Sequence, residues 1–438
     1  MLRLRQRSTT LVAIVVFVVI LALTCGGDGS IEIVVTNAST AVPTPIPSPT
    51  VSPPEARELP SDIFSVSPDP SVDTPFSSTE LPFVFRSQFE GWKTNFKRRT
   101  VRLDELGQSV PRDAIPAISN PTFTSLMNLT VGIDPREPVI VVEVNGDARA
   151  YPLDILLQHE IVNDDIGGLP VVVTYCPLCN SALAFERTVN GTVREFGVSG
   201  FLRKSDLVMY DNVTETMWQQ ITGEGLVGDD AGLWLVPLPV QTVSFETFAD
   251  RFKDGLVLDR PEITDFDYDT APYPGYDSPE IDKPFLFFEI PDRRIHVVER
   301  VSAVDIGKGP VAYAFSFLNE NPVVNDLVGD VPVVVFFDDK TESGFGRTDS
   351  TGGPIVVGST TMFFRDLENR VLTFTNRPDG TIIDNETGST WDRFGLAISG
   401  ELLGAELTPV IHGDHFWFAW ADFKPDTRLV TATDDLVN

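Results

Sequence analysis

Two closely spaced cysteines set the most specific chemistry open to this chain. Cys176 and Cys179 stand in Thr174-Tyr175-Cys176-Pro177-Leu178-Cys179, and the only other cysteine is Cys25. A C-x-x-C can serve as a redox dithiol, as a pair of metal thiolates, or as an inert disulfide. The inert reading is the weakest, because a bridge across two residues closes too small a loop to remove much unfolded-state entropy. A metal needs further ligands, and the soft or borderline side chains left are 4 His and 5 Met. His159 closes a short helical pattern ahead of the cysteine strand, and His412 and His415 flank the start of Phe416-Trp417-Phe418-Ala419-Trp420. His296 lies in a charged segment and is set aside. The expected ligand set is therefore Cys176, Cys179 and His159, with His412 or His415 as a further ligand and copper, closely followed by zinc, as the ion. Glu160 is expected as a second-shell carboxylate or general base. The plain alternatives are a hydrogen-bonded core histidine for His159 and an exposed acid for Glu160. Asn180 follows Cys179 where a histidine would be needed, so covalent c-type haem attachment is excluded.

These residues must be held by strands. Residues 170–175 are apolar at consecutive positions, the mark of a strand buried on both faces. The pairs Asn145-Gly146 and Asn190-Gly191 predict hairpin turns. Helical pattern is confined to residues 153–159, 245–252 and 92–106. A thioredoxin-like arrangement would want the C-x-x-C to open a helix within a βαβ unit, and the hairpin signals after Cys179 do not continue one.

The pattern also occurs twice. Residues 150–175 laid over 312–337 give eleven identities in 26 ungapped columns, where chance gives about two. Asp211-Asn212-Val213-Thr214-Glu215-Thr216-Met217-Trp218 matches a second block ending at Trp391 with a larger offset, which implies an 11-residue insertion in the second copy. The first copy has His159, Cys176 and Cys179 where the second has Asn321, Asp338 and Thr341, so the expected site is single. Residues that both copies keep, such as Tyr151, Asn163, Asp164, Asp211 and Trp218, are expected to serve folding.

Composition narrows the partners. Lys+Arg number 33 against 63 Asp+Glu, a net charge of −30, which leaves no basic surface for nucleic acid. There is no phosphate loop, dinucleotide fingerprint, G-x-S-x-G or H-E-x-x-H, so no nucleotide cofactor is expected. Arg3, Arg5 and Arg7 precede an apolar run at 11–23 and then Cys25, the layout of an export signal or lipoprotein anchor acylated at Cys25. The run is short for a spanning helix. Residues 26–80 are rich in Pro, Ser and Thr and read as a disordered linker. The expected organisation is a signal peptide or anchor at 1–25, that linker, an N-terminal extension at 81–119, a first lobe at 120–260, an acidic connector at 261–289 and a second lobe at 290–438. The fold class is α+β, β-rich, with an internally duplicated two-lobed body. The body is expected outside the cytoplasm, attached to a membrane through the N-terminal anchor alone, since so acidic a surface is repelled by anionic headgroups.

His159-Glu160-Ile161-Val162-Asn163-Asp164, the Thr174 to Cys179 hexapeptide, the Asp211 to Trp218 block and the closing Phe416-Trp417-Phe418-Ala419-Trp420 together resemble domain of unknown function 3179 over residues 120–435. The resemblance implies architecture and location but no reaction; the family's histidine four residues before the closing Phe-Trp corresponds to His412, favouring it over His415. The chain departs at Asn180, where Gly is commoner, and at Thr216, where Ser is commoner. Three functions stay open: a Cys/His metal site, a thiol-disulfide oxidoreductase using Cys176 and Cys179, and a non-catalytic envelope binding module with the aromatic run lining a groove.

Overall fold

The structure is a computed structural model that describes residues 87–130, 132–261, 266–348 and 352–437. Cys25 and the Pro/Ser/Thr-rich stretch lie outside the described residues.

The first lobe opens with β1 (Pro138–Val144) and β2 (Asp147–Pro152), joined at Asn145-Gly146, where both residues adopt positive φ as a tight hairpin requires. Helix α1 (Leu153–His159) leads into a meander of β3 (Ile161–Ile166), β4 (Leu169–Cys176) and β5 (Ser181–Glu186). Val171, Val172 and Val173 of β4 are all fully buried, because the central strand is covered on both faces. A third sheet of five strands sets the edge strand Gly107–Gln108 against β6 (Phe196–Arg203), followed by β7 (Asp206–Asp211), β8 (Met217–Gln219) and β9 (Gly225–Val227). The chain then returns through β10 (Gln241–Ser244), α2 (Phe245–Arg251) and β11 (Leu256–Leu258) to flank β1 and β2, β11 running parallel to β2.

The second lobe repeats this order. It comprises β12 (Arg300–Val304), β13 (Val311–Ala314), α3 (Phe315–Glu320), β14 (Val323–Val328), β15 (Val331–Asp338) and β16 (Ser359–Phe364). There follow β17 (Phe374–Asn376), β18 (Ile382–Asp384), β19 (Thr390–Trp391), β20 (Ala397–Ser399), β21 (His412–Phe416), α4 (Trp417–Phe423) and β22 (Arg428–Val430). Pairing registers agree as well: Val171 faces Asp164 as Val333 faces Asp326.

Shared residues make the same bonds in both lobes. The Tyr151 hydroxyl donates to Asp164 at 2.6 Å and that of Tyr313 to Asp326 at 2.7 Å. Asn163 clamps the backbone of Phe196 at 2.9 and 2.8 Å, and Asn325 clamps that of Phe374 at 2.8 Å in both directions. The indole of Trp218 donates to Asp211 at 3.0 Å and that of Trp391 to Asp384 at 2.9 Å. Each bond satisfies a buried polar group that would otherwise be stranded in the core, and none reaches the thiols.

Two expectations change. Residues 92–106 form turns and one short 3₁₀ segment, Leu103–Glu105, in place of a helix. Their apolar members, Phe96, Val101, Leu103 and Leu106, pack with Phe201, Val208 and Met217 of the third sheet, so sheet contact overrode the local periodicity. The 11-residue insertion is the net of two changes. The β4–β5 connection is four residues, 177–180, whereas β15–β16 takes twenty, 339–358. In the opposite sense, the β6–β7 hairpin spans 16 residues from Phe196 to Asp211, and β17–β18 spans 11 from Phe374 to Asp384. Thr341 consequently lies in the long loop and has no counterpart relation to Cys179. Asp338 does correspond to Cys176, since each ends its strand opposite a serine.

Candidate functional site

Cys176 is the last residue of β4, and the tight turn through Pro177 and Leu178 brings Cys179 back beside it, with the Cys179 N–H donating to the Cys176 carbonyl at 3.2 Å. The left-handed Asn180 then redirects the chain into β5. Both thiols are free and buried. They donate to one acceptor, the Ser205 carbonyl, at 3.9 Å from Cys176 and 3.6 Å from Cys179.

Ser205 belongs to the tip of the β6–β7 hairpin, and the next residue completes the site. One ligand atom from each of Cys176, Cys179 and Asp206 lies within 4.8 Å of the others, and this is the only metal-competent cluster among the described residues. Asp206 is fully buried. Its Oδ2 accepts the Gln219 side-chain amide at 2.7 Å and the Ile221 N–H at 3.0 Å, while Oδ1 has no N–H or O–H donor and the two thiols are the carboxylate's remaining partners. Gln219 is itself held by Arg203 at 3.3 Å, and Arg203 pairs with Glu105 at 2.9 Å. The neighbouring Gln220 donates to Thr174 at 2.9 Å and to the Ser181 carbonyl at 3.0 Å, tying the two strands that carry the cysteine turn.

Burial governs the ionisation of these groups. Desolvation pushes both thiols up, and it pushes Asp206 up to about 6 against the N–H donors that favour its anion. Glu160, left-handed at the C-terminus of α1, is pushed up to about 8 by burial and then by the charge of Asp206. Without a cation the two thiols and Glu160 therefore keep their protons near neutral pH, while Asp206 is largely ionised there.

The second lobe closes this site, and the first returns the contact. The Phe416 N–H, at the β21–α4 junction, donates to the Cys179 carbonyl at 2.8 Å, and Asn180 donates to the Asp414 carbonyl at 3.2 Å. Reciprocally, Thr247 of α2 donates to Asp338 at 3.0 Å. The helix following each return strand thus caps the end of the other lobe's central strand.

The histidines fall elsewhere. His159 is buried, but its Nδ1 meets the Pro116 carbonyl at 2.7 Å and its Nε2 the Tyr268 hydroxyl at 2.7 Å, so both ring nitrogens are used away from the thiols. His412 meets the Val410 carbonyl at 3.0 Å through Nδ1 and is outside the cluster. His415 stacks on Trp420 with ring centroids 5.3 Å apart. Sequence reasoning named the two cysteines and missed Asp206, which lies 27 residues beyond Cys179 on a separate sheet. The only signal in the sequence was the break in repeat offset between the two matched blocks, which does not point to the hairpin. Cavities of about 430 and 360 Å³ lie away from the thiols, at corresponding places in the two lobes: Glu299 and Ser316 line the first, Glu137 and Asp154 the second, and Arg347 borders both.

A family model described as protein of unknown function (DUF3179) matches residues 112–427, and the chain belongs to that family. No curated protein and no solved structure matches it.

Proposed function

We propose that Cys176, Cys179 and Asp206 bind a divalent metal ion, with zinc preferred. The observation that carries this reading is a fully buried aspartate, its Oδ1 met by no N–H or O–H donor, converging with two buried thiols that hydrogen-bond to its carboxylate. A thiol is a weak donor to a buried carboxylate, and a cation is the partner that makes two thiolates and a carboxylate compatible in one dry pocket. Zinc accepts sulfur and oxygen ligands together, whereas Cu(I) is served by soft ligands, so the carboxylate shifts the preference from copper to zinc. Glu160, electrostatically coupled to both Cys176 and Asp206, is the further carboxylate for a fourth position or for orienting the first three. Binding would release the thiol protons, so affinity rises with pH.

Elemental analysis of protein purified without chelator is the test. Near-stoichiometric zinc that is lost in Cys176→Ser supports the site. A metal-free protein with a readily reversible Cys176–Cys179 disulfide would replace this reading with the oxidoreductase. The membrane attachment proposed for the exported body has its own assay. Cys25→Ser abolishes acylation and leaves the precursor uncleaved there, and an unchanged mature mass would overturn it.

A further inference from the structure

The segment joining the lobes also seals the thiol site. Tyr273 and Tyr276 pack against the core cluster that contains Cys176 and Cys179. Just beyond them the chain is pinned. The carboxylate of Asp277, which is buried, accepts from Arg300 at 2.7 Å and from Ser343 at 2.6 Å, and its carbonyl accepts from Arg347 at 3.0 Å. A second anchor follows at Phe287, buried against Phe418 with ring centroids 5.1 Å apart.

Between these anchors, residues 278–286 form neither strand nor helix. Their polar ties to the site run through Phe285, whose carbonyl accepts the Ser205 hydroxyl at 2.7 Å and whose N–H donates to the Tyr276 hydroxyl at 3.1 Å. Ser205 is also the residue whose carbonyl receives both thiols. Left-handed, non-glycine backbone stands on each side of this contact: Lys204 and Ser205 at φ 56° and 66°, and Leu286 at φ 54°. Such conformations persist only where their surroundings hold them, and they gather at segments that switch. Phe285 is 57% exposed, and Phe288 and Ile290 just past the second anchor are 81% and 94% exposed, so little covers this stretch from outside.

We propose that residues 278–286 are a hinged flap over the Cys176, Cys179 and Asp206 site, latched to the backbone of Phe285 by Ser205 and Tyr276, so that ions and small thiol reagents enter when the latch opens. The stretch is held besides by the Arg293 bond to the Asp282 carbonyl at 3.0 Å, by Ile281 packed on the core cluster and by the buried Pro284, yet releasing these few contacts between firm anchors disrupts far less than unfolding a lobe, which makes local opening the easier route to buried sulfurs. That the entering species is a metal rests on the function proposed above; the flap itself does not.

The test measures iodoacetamide alkylation of the full chain carrying Cys25→Ser and stripped of metal, followed by mass spectrometry. Ser205→Ala removes one tie, and Tyr276→Phe removes the other while keeping the ring packed on Phe345 and Phe416. Each variant is expected to alkylate about five- to tenfold faster than the parent, at a rate that barely depends on denaturant and with only a small fall in the denaturation midpoint, as loss of one hydrogen bond allows. If Ser205→Ala does not fold, the Tyr276→Phe rate decides. Unaccelerated alkylation, or parent alkylation with the denaturant dependence of global unfolding, would overturn the flap. A zinc arm separates the two readings: variants that accelerate while zinc gives no protection would refute the metal and keep the flap.

Discussion

The β6–β7 hairpin and its counterpart β17–β18 begin alike and end differently. Both start on an asparagine clamp and finish on the aspartate that receives a buried indole. The first continues five residues further, past a register shift between Val198 and Phe201, and its tip sets Ser205 and Asp206 on the thiols. In the second lobe the residue at the spacing of Asp206 before the shared aspartate is Asp379, which is exposed and accepts only from Thr381 nearby. The same residue type is thus a candidate ligand on one hairpin and a surface acid on the other. What both lobes keep holds the fold, and what one lobe alone possesses builds the site.

That division is tested most severely by the ligands. Asp206→Asn keeps the shape of the side chain and removes its charge, so zinc affinity should fall by at least 100-fold, read by competition with a chromophoric chelator. Wild-type protein at a free zinc concentration 1,000 times its Kd should gain about 4 kcal/mol of stability over the chelator-treated form, a gain that Cys176→Ser should lack. An equal response to zinc in wild type and both variants would mean that the lobe-one residues are not the site.

A smaller effect concerns protons. Glu160 has no counterpart acid in the second lobe, where Pro322 stands. Its folded pKa of about 8 lies above the unfolded carboxylate value, so the folded state holds the proton more tightly. That stabilisation is complete below the unfolded pKa and is lost as pH rises through the folded one. Metal-free wild type should therefore lose about 2–4 kcal/mol relative to Glu160→Gln between pH 5 and pH 8, followed by denaturant titration. Parallel pH profiles for the two proteins would place Glu160 in contact with water.

Much of this architecture was legible in sequence because strand burial and hairpin turns are local. Consecutive valines marked β4 and β15 as central strands, Asn145-Gly146 marked the β1–β2 hairpin, and Asn190-Gly191 marked the short hairpin of Thr188–Val189 with Thr192–Val193. The C-x-x-C was legible because its two thiols share one turn. Asp206 was not, since its approach depends on how one sheet lies over another and on the length of a hairpin. His159 misled for a related reason: the spacing put it before the cysteine strand, but only the fold shows its ring turned toward Pro116 and Tyr268. The break in repeat offset did report that something had been inserted. It could not show that a loop had grown in one copy while a hairpin had grown in the other.

If the shared framework serves folding alone, its paired members should weigh alike. Tyr151→Phe and Tyr313→Phe each remove a hydroxyl from a buried aspartate that keeps an arginine, Arg149 on Asp164 and Arg428 on Asp326. Each should cost about 1–2 kcal/mol, equal within error, and leave zinc affinity unchanged. A loss confined to Tyr151→Phe, or one accompanied by weaker zinc binding, would draw the framework of lobe one into the site.

The smallest effect belongs to the second-lobe acid. Asp379→Asn removes a carboxylate that stands in water and keeps an oxygen able to accept the Thr381 N–H, bonded at 3.0 Å in the wild type. Its charge touches no buried group, so both the denaturation midpoint and zinc affinity should match wild type within error. The comparison with Asp206→Asn is informative because the two substitutions are chemically identical and occupy related positions on duplicated hairpins. A measurable fall in zinc affinity for Asp379→Asn would show that the second lobe also contributes to binding, and hairpin length would then no longer explain why the site is single.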